Sequence, residues 1–262
     1  MAERPVFIAC TGGIHLVEQV DVEFSWHPGL SLKQKRASIH SLHEAARPFM
    51  PTRTKILEIS RKAEEALGNG LSSFNLTLIL HEATNLAQEA TDAQSAKVAI
   101  SPSFPSDPST NTTFLECAFQ ASKVFKYGGP FVDLLSASPK GAKRDPRLQN
   151  SGQLTTFQFF GQHWPLSPRT AFYDWLYITA LTQHPELAEQ LLEYDAFTDI
   201  EFNPKRSVNC QARAAALYVA LRRRGLLEQA MASQESFLAT IQTPAHRRSD
   251  LSSPIQHEDV ST

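Results

Sequence analysis

The chain has 262 residues, and its 25 Lys and Arg stand against 27 Asp and Glu, a formal net charge of −2 at pH 7. That balance excludes a strongly basic nucleic-acid coat, and a hydrophobic content of 42% excludes wholesale disorder. No apolar run approaches the roughly 20 residues needed to cross a bilayer. The opening MAERPVFIACTGG lacks the apolar segment of a secretory signal, so the chain reads as a soluble intracellular protein. Cys10, Cys117 and Cys210 are odd in number, far apart and without a CxxC pair, which argues against a disulfide framework or a structural zinc knot.

In chain order, strand-like VFIAC and HLVEQVDVEFSW flank Gly12-Gly13 and predict a hairpin with strands at about 5–10 and 15–25. From Ser31, Leu32, Ile39, Leu42 and Ala46 recur at helical spacing until Pro48, the pattern of an amphipathic helix. His40 and His43 share a face of it at i and i+3, but HxxHE matches no zinc signature and reads as a solvated helix surface. TKILEIS is β-rich, Gly68 and Gly70 punctuate the next segment, and FNLTLIL is again extended. Between about 82 and 112, three prolines and many Ser and Thr predict a surface loop. Helices are predicted at about 113–126, 130–137, 168–182, 185–193 and 207–224. Pro168 and Pro185 take N1 positions, Ser207 is the N-cap of the last helix and Gly225 its C′ residue. Beyond about 240 the tail has little to bury and reads as disordered.

The segment FLECAFQASKVF carries the most informative pattern. On a helical wheel Glu116, Gln120 and Lys123 fall in one narrow arc, and apart from Ser122 the rest of the wheel is apolar. A helix apolar nearly all round is a buried one, so the polar stripe must be internally paired or face a polar cavity. The first reading is a structural Glu116–Lys123 network. The second is a carboxylate and an amine in a pocket, where burial and proximity move both pKa values towards neutrality.

Further on, Lys140, Lys143, Arg144 and Arg147 cluster with only Asp145 opposing, a solvated face or a seat for phosphate or pyrophosphate. Asp195, Asp199, Glu201, Asn203 and Asn209 surround a turn before a helix, as simple caps or as partners for a ribose or a water. Trp164 fits the core, and equally a plane for stacking on a base. No Gly-rich strand-to-helix turn of Rossmann or P-loop type is present.

These elements in this order resemble the NADAR superfamily, the helical domains associated with NAD and ADP-ribose, from about Leu71 to Leu226 with the polar loop as an insertion. SSFN at 72–75 resembles the small-residue/Phe/Asn segment, and LECAFQASKVF resembles the E-x-x-x-Q-x-x-K helix. ASPKGAKRDPR, Trp164, QHPELAEQLLEY and the Asp199 and Asn209 segments follow in family order. Phe202-Asn203 departs from the Trp-Gly of many members, and Ala212 stands where glycine is common. The whole chain, N-terminal segment included, resembles the subgroup encoded beside DarT-type toxins.

The resemblance implies an α+β fold, mostly helical, with an N-terminal β-hairpin and helix (1–66) packed on a NADAR-like catalytic core (67–228) and a tail at 240–262. It implies an antitoxin that removes ADP-ribose from guanine bases of DNA, single-stranded DNA being the expected partner, with ADP-ribose as product and the toxin as a further partner. Lys123 and Glu116 are the expected catalytic groups, Lys123 through a Schiff base and Glu116 as acid/base, with Asp199 or Glu201 orienting the ribose or a water. Phe74, Asn75, Gln120, Lys143, Arg144, Trp164, Asn203 and Asn209 are expected to contact substrate, and Arg222-Arg223-Arg224 to touch a short strand. No cofactor and no metal is expected. Two other functions fit the same family: a module that binds ADP-ribose or the toxin without cleavage, and an N-glycosidase acting on riboflavin-pathway metabolites.

Overall fold

The computed structural model describes residues 1–80, 111–205, 207–241 and 246–248. The fold is a mixed α/β one with small sheets, more helical than extended. No helix among the described residues is long and apolar enough to cross a membrane.

Strands β1 (Ala2–Ala9) and β2 (Val17–Phe24) pair antiparallel from Ala2↔Phe24 to Ala9↔Val17. Helix α1 (Leu32–Ala46) opens on a capping box: Ser31 Oγ accepts from Gln34 N at 3.2 Å, and Gln34 Oε1 accepts from Ser31 N at 3.3 Å. Strand β3 (Ile56–Glu58), the short helix α2 (Ala66–Gly70) and strand β4 (Thr77–Leu80) follow. Strand β5 (Asn111–Phe114) pairs antiparallel with β4 and leads directly into α3 (Leu115–Ala121), all seven of whose residues are buried. Of the polar stretch at about 82–112, residues 81–110 lie outside the described residues, while Asn111 and Thr112 belong to β5.

Strand β6 (Lys123–Phe125) begins immediately after α3, and the short helices α4 (Pro139–Lys143) and α5 (Arg147–Asn150) separate it from β7 (Leu154–Phe159) and β8 (Gln162–Trp164). Strands β6, β7 and β8 form an antiparallel sheet. The remainder is α6 (Ala171–Thr182), α7 (Pro185–Leu191), β9 (Ala196–Thr198), α8 (Gln211–Arg223), α9 (Leu227–Met231), α10 (Gln234–Ile241) and β10 (His246–Arg248).

The largest sheet has the order β10-β2-β1-β9-β3. Side chains of β1 and β2 alternate between two faces and enter two different clusters. Val6, Val20, Val22 and Phe24 pack with Ile39 and Leu42 of α1, whereas Phe7, Ala9 and Val17 join the main core with α8. The N-terminal strand is tied to the rest of the chain by pairing with β9, and β9 pairs parallel with β3.

Four sequence expectations need correction. The helix expected over 113–126 stops at Ala121, because Phe131 N takes the Ala121 carbonyl at 2.8 Å and Gln158 N takes that of Ser122 at 2.7 Å. These are the oxygens that the amides of Phe125 and Lys126 would need in a continuing helix. Pro168 does not open α6, which starts at Ala171 after a turn in which Ala171 N donates to Pro168 O at 3.0 Å. Ser207 does not cap α8: its hydroxyl donates to Asn209 O at 3.2 Å, and Cys210 is the N-cap. Part of the expected disordered tail, His246–Arg248, pairs parallel with β2, while 242–245 and 249–262 lie outside the described residues. Pro185 does occupy N1 of α7, and Gly225 follows α8 at φ 66°.

Candidate active site

The α3 stripe is a continuous hydrogen-bonded chain. Lys123 Nζ donates to Gln120 Oε1 at 2.7 Å, Gln120 Nε2 donates to Glu116 Oε1 at 2.8 Å, and Ser73 Oγ donates to Glu116 Oε2 at 2.9 Å. Glu116 and Gln120 are each 5% exposed. Lys143 approaches from α4, its Nζ 3.8 Å from Glu116 Oε1. The backbone holds the start of the helix in place, since Leu115 N donates to Leu76 O and Glu116 N to Ser73 O, both at 2.9 Å. Gln211 locks the neighbouring loop, accepting from Ser73 N at 2.8 Å and donating to Ile59 O at 2.6 Å.

Lys123 lies in the apolar shadow of Phe119, its Nζ 4.7 Å from the ring centroid. Burial pushes the amine down from an ordinary 10.5 to about 8; the Glu116 carboxylate opposes the shift and the Lys143 ammonium adds to it. An amine with a pKa of about 8 is neutral in a substantial fraction of molecules near pH 7.5, which an ordinary lysine is not.

A second buried acidic group follows β9. Asp199 is 8% exposed, and its Oδ1 accepts from Glu201 N at 3.0 Å and Phe202 N at 3.1 Å. Burial and the neighbouring Glu58 carboxyl push it well above the usual carboxylate range. Tyr173 connects the two regions: it meets the Phe119 ring edge-on at 5.0 Å and feels the charges of both Glu116 and Asp199, which with burial push its phenol up.

The structure thus brings together Glu116, Gln120, Lys123 and Lys143, while Asp199 is linked to them through Tyr173, which feels the charge of both acids. Phe74 joins them, its ring 5.1 Å from Lys143 Nζ and 4.2 Å from the Arg61 guanidinium. Other expected residues are engaged differently. Asn75 is exposed and donates to Asn69 O at 2.9 Å and Asn69 Oδ1 at 2.8 Å. Asn203 Oδ1 accepts from Lys205 N at 3.0 Å in a local turn, and Glu201 and Arg144 are exposed. Asn209 Oδ1 is buried without a partner among the described residues. Trp164 is 1% exposed within a cluster of rings from Phe172, Trp175 and Phe237, a core position that offers no face to a base. The expected Arg222–Arg224 run is spent internally on Glu189, Asp195 and His15 O. Of the pair read as a solvated surface, His40 is exposed but His43 turns inward to Thr198.

Sequence reasoning missed Ser73 as a ligand of Glu116, and it missed Gln211, Tyr173 and Glu58. Glu58 had a legible signal, a charged residue inside the apolar run ILEIS. Among the described residues no three His, Cys, Asp or Glu side chains converge as metal ligands.

In this mixed α/β fold the E-x-x-x-Q-x-x-K spacing forms a hydrogen-bonded Glu116–Gln120–Lys123 chain that runs from the buried helix α3 to the first residue of β6. The chain belongs to the family described as DarT1-associated NADAR antitoxin, which it matches over residues 2–101 and 103–250. No curated protein matches it.

Proposed function

We propose that this antitoxin is a glycohydrolase that cleaves the N-glycosidic bond between C1 of the distal ribose and a guanine base of ADP-ribosylated DNA. The observation that carries the reading is the buried Lys123–Gln120–Glu116 chain with its lysine held near pKa 8. An amine of depressed basicity is a nucleophile, and a carboxyl group linked to it through one amide can handle the accompanying proton.

In this reading the bond from C1 to the ring oxygen opens, that oxygen taking a proton and C1 becoming an iminium to the guanine nitrogen, and Lys123 Nζ adds to C1. The C1–guanine nitrogen bond breaks as the Nζ–C1 imine forms, and the guanine nitrogen leaves with a proton supplied through Glu116. Water then adds to the imine, releasing ADP-ribose and regenerating the amine. Lys143, beside Glu116, and exposed Arg144 offer cations to the pyrophosphate. Phe74 supplies an aromatic wall, and Asp199 orients ribose hydroxyls or the hydrolytic water.

Incubation with an oligonucleotide carrying ADP-ribosylguanine tests this directly. The expected result is release of ADP-ribose by mass and, with borohydride present, a covalent adduct on Lys123. Tight binding without base release, unchanged in Lys123→Ala, would assign the protein to non-cleaving recognition of ADP-ribose or the toxin.

A further inference from the structure

We infer that Glu58 is a positioning residue for Asp199 and that α1, through His43, is built into the same support. The inference rests on the reading of Asp199 as part of the site. Glu58 ends β3 directly beside Thr198 of β9 in the parallel register and is fully buried. Its carboxyl group grips both neighbours of Asp199: Oε2 accepts from Thr198 Oγ1 at 2.6 Å, and Oε1 accepts from Ile200 N at 2.8 Å. The backbone repeats the clamp, Ile59 N donating to Thr198 O at 2.8 Å. Asp199 Oδ1 is itself fixed by the amides of Glu201 and Phe202. The segment 198–202 is therefore held from both sides, and Asp199 has little freedom to turn.

The support continues outward. His43 Nε2 lies 2.8 Å from Thr198 Oγ1. The threonine hydroxyl has a single proton, which it donates to Glu58, so His43 must donate from Nε2–H. The order His43 → Thr198 → Glu58 runs from α1 to the strand that carries Asp199. A histidine in that role is neutral, in keeping with a basicity that burial pushes down to about 4.

Two carboxyl groups in the interior cannot both ionise cheaply: burial raises both, the Glu58 charge raises Asp199 further, and the Glu201 charge raises Glu58. The other groups facing them are Glu201 on the same loop, Ser60 beside Glu58, Arg4 from β1, Cys210 at the start of α8, and Tyr173 and Tyr177 from α6. Arg4 favours ionisation of Asp199, and the remaining acids oppose it. The pair thus retains a proton at a pH where an exposed aspartate has lost its own, and in the proposed reaction Asp199 is the member that faces the substrate.

The test is Glu58→Gln, a neutral isostere that keeps an oxygen for Ile200 N. Titration of the Asp199 carboxyl carbon by NMR should move to lower pH in the variant, because the like charge is gone. On ADP-ribosylguanine DNA, kcat should fall roughly 10- to 100-fold with KM nearly unchanged, the cost of a group displaced by a fraction of an ångström, and the acidic limb of the pH profile should move the same way. Should Glu58→Gln not fold, Thr198→Val removes the hydroxyl link in a β-branched shape and should show the same fall in kcat. An Asp199 that titrates identically in wild type and a folded Glu58→Gln, or unchanged kcat and profile in a folded variant, overturns the inference. A wild-type protein that releases no ADP-ribose would sink the proposed reaction instead, and the NMR titration would still decide the role of Glu58.

Discussion

Lys123 and Gln120 meet across a change of secondary structure: Gln120 lies in the last turn of α3, Lys123 opens β6, and Nζ donates to Oε1 at 2.7 Å. The lysine is therefore anchored by the β6–β7 pairing, Lys123↔Phe157, and its amine is returned to the helix by its own length. A side chain on a sheet is placed more rigidly than one on a fraying helix end, which would suit the nucleophile of the proposed reaction.

The pH dependence of the proposed reaction should report that placement. The reactive form is the free amine, so the rate should rise with pH and level off above about 8, where an ordinary lysine would still be climbing towards 10.5. Lys143→Ala removes a cation that disfavours the charged form of Lys123, so the rise should move to higher pH in that variant. Lys123→Ala should lose at least about 100-fold in kcat at every pH. Single-turnover rates from pH 6 to 10 check all three, and a Lys123→Ala protein with the wild-type profile would remove the lysine from the chemistry.

The buried histidine gives an acid limit to stability. His43 has its basicity pushed from an ordinary 6.5 down to about 4 by burial, with help from Arg47 and His40. The unfolded chain therefore takes up the proton first as pH falls, so this group's contribution is present above pH 6.5 and is lost between 6.5 and 4. The loss is on the order of 3 kcal/mol. Glu58 and Asp199 act in the opposite sense, being easier to protonate in the folded state, so the comparison must be made against a variant. His43→Gln keeps a donor towards Thr198 and should show a smaller fall in Tm between pH 6.5 and 4 than wild type. Equal slopes in both proteins would contradict the buried neutral histidine.

How far such features could be read from the sequence depended on the range of the interaction. The wheel that grouped Glu116, Gln120 and Lys123 assumed a helix to 126, and the grouping holds although the helix ends at Ala121. What ends it is Phe131 and Gln158 taking two carbonyls, and neither contact has a signature within the helix itself. Pro185, which takes the N1 position of α7, was legible from its own segment, whereas the equally local readings of Pro168 and Ser207 failed, because a turn precedes α6 and the Ser207 hydroxyl donates to Asn209 O. Glu58 depends on Thr198 and Ile200, 140 and 142 residues distant. Only the β3–β9 register, a product of the whole fold, makes them neighbours.

Trp164 illustrates the same limit and yields a test. With 1% of its surface exposed, packed on Trp175 at a centroid distance of 4.8 Å, it contributes apolar area to the core. Its Nε1 is buried without a partner among the described residues, an unfavourable burial that Phe would not incur. Trp164→Phe exchanges that relief against lost ring volume, so a net destabilisation of about 1–2 kcal/mol is expected. The kcat and KM on ADP-ribosylguanine DNA should stay at wild-type values, because the ring faces Phe172, Trp175 and Phe237. A KM raised tenfold in a folded variant would return the indole to the substrate pocket.

A buried ion pair, Asp174 with Arg213, links α6 to α8 within their shared apolar core. Asp174 is fully buried and hydrogen-bonded by the Arg213 guanidinium, whose side chain retains 19% exposure. Burial raises the Asp174 carboxyl and Arg213 opposes that rise, so the arginine is what keeps a charge tolerable there. Removing it by Arg213→Met should cost about 3–5 kcal/mol at neutral pH, since the carboxylate is left without its cation. The cost should shrink on acidification. A carboxyl group whose folded-state pKa is raised favours the folded state at low pH and loses that advantage as pH rises through its folded value. Arg213→Met should therefore unfold at lower denaturant than wild type at pH 7.5, with the gap narrowing towards pH 5. Adding Asp174→Asn should recover part of the loss at pH 7.5 by removing the charge itself. A gap independent of pH, unrelieved by Asp174→Asn, would mean that the arginine acts through packing of its stem against α6 and not through its charge.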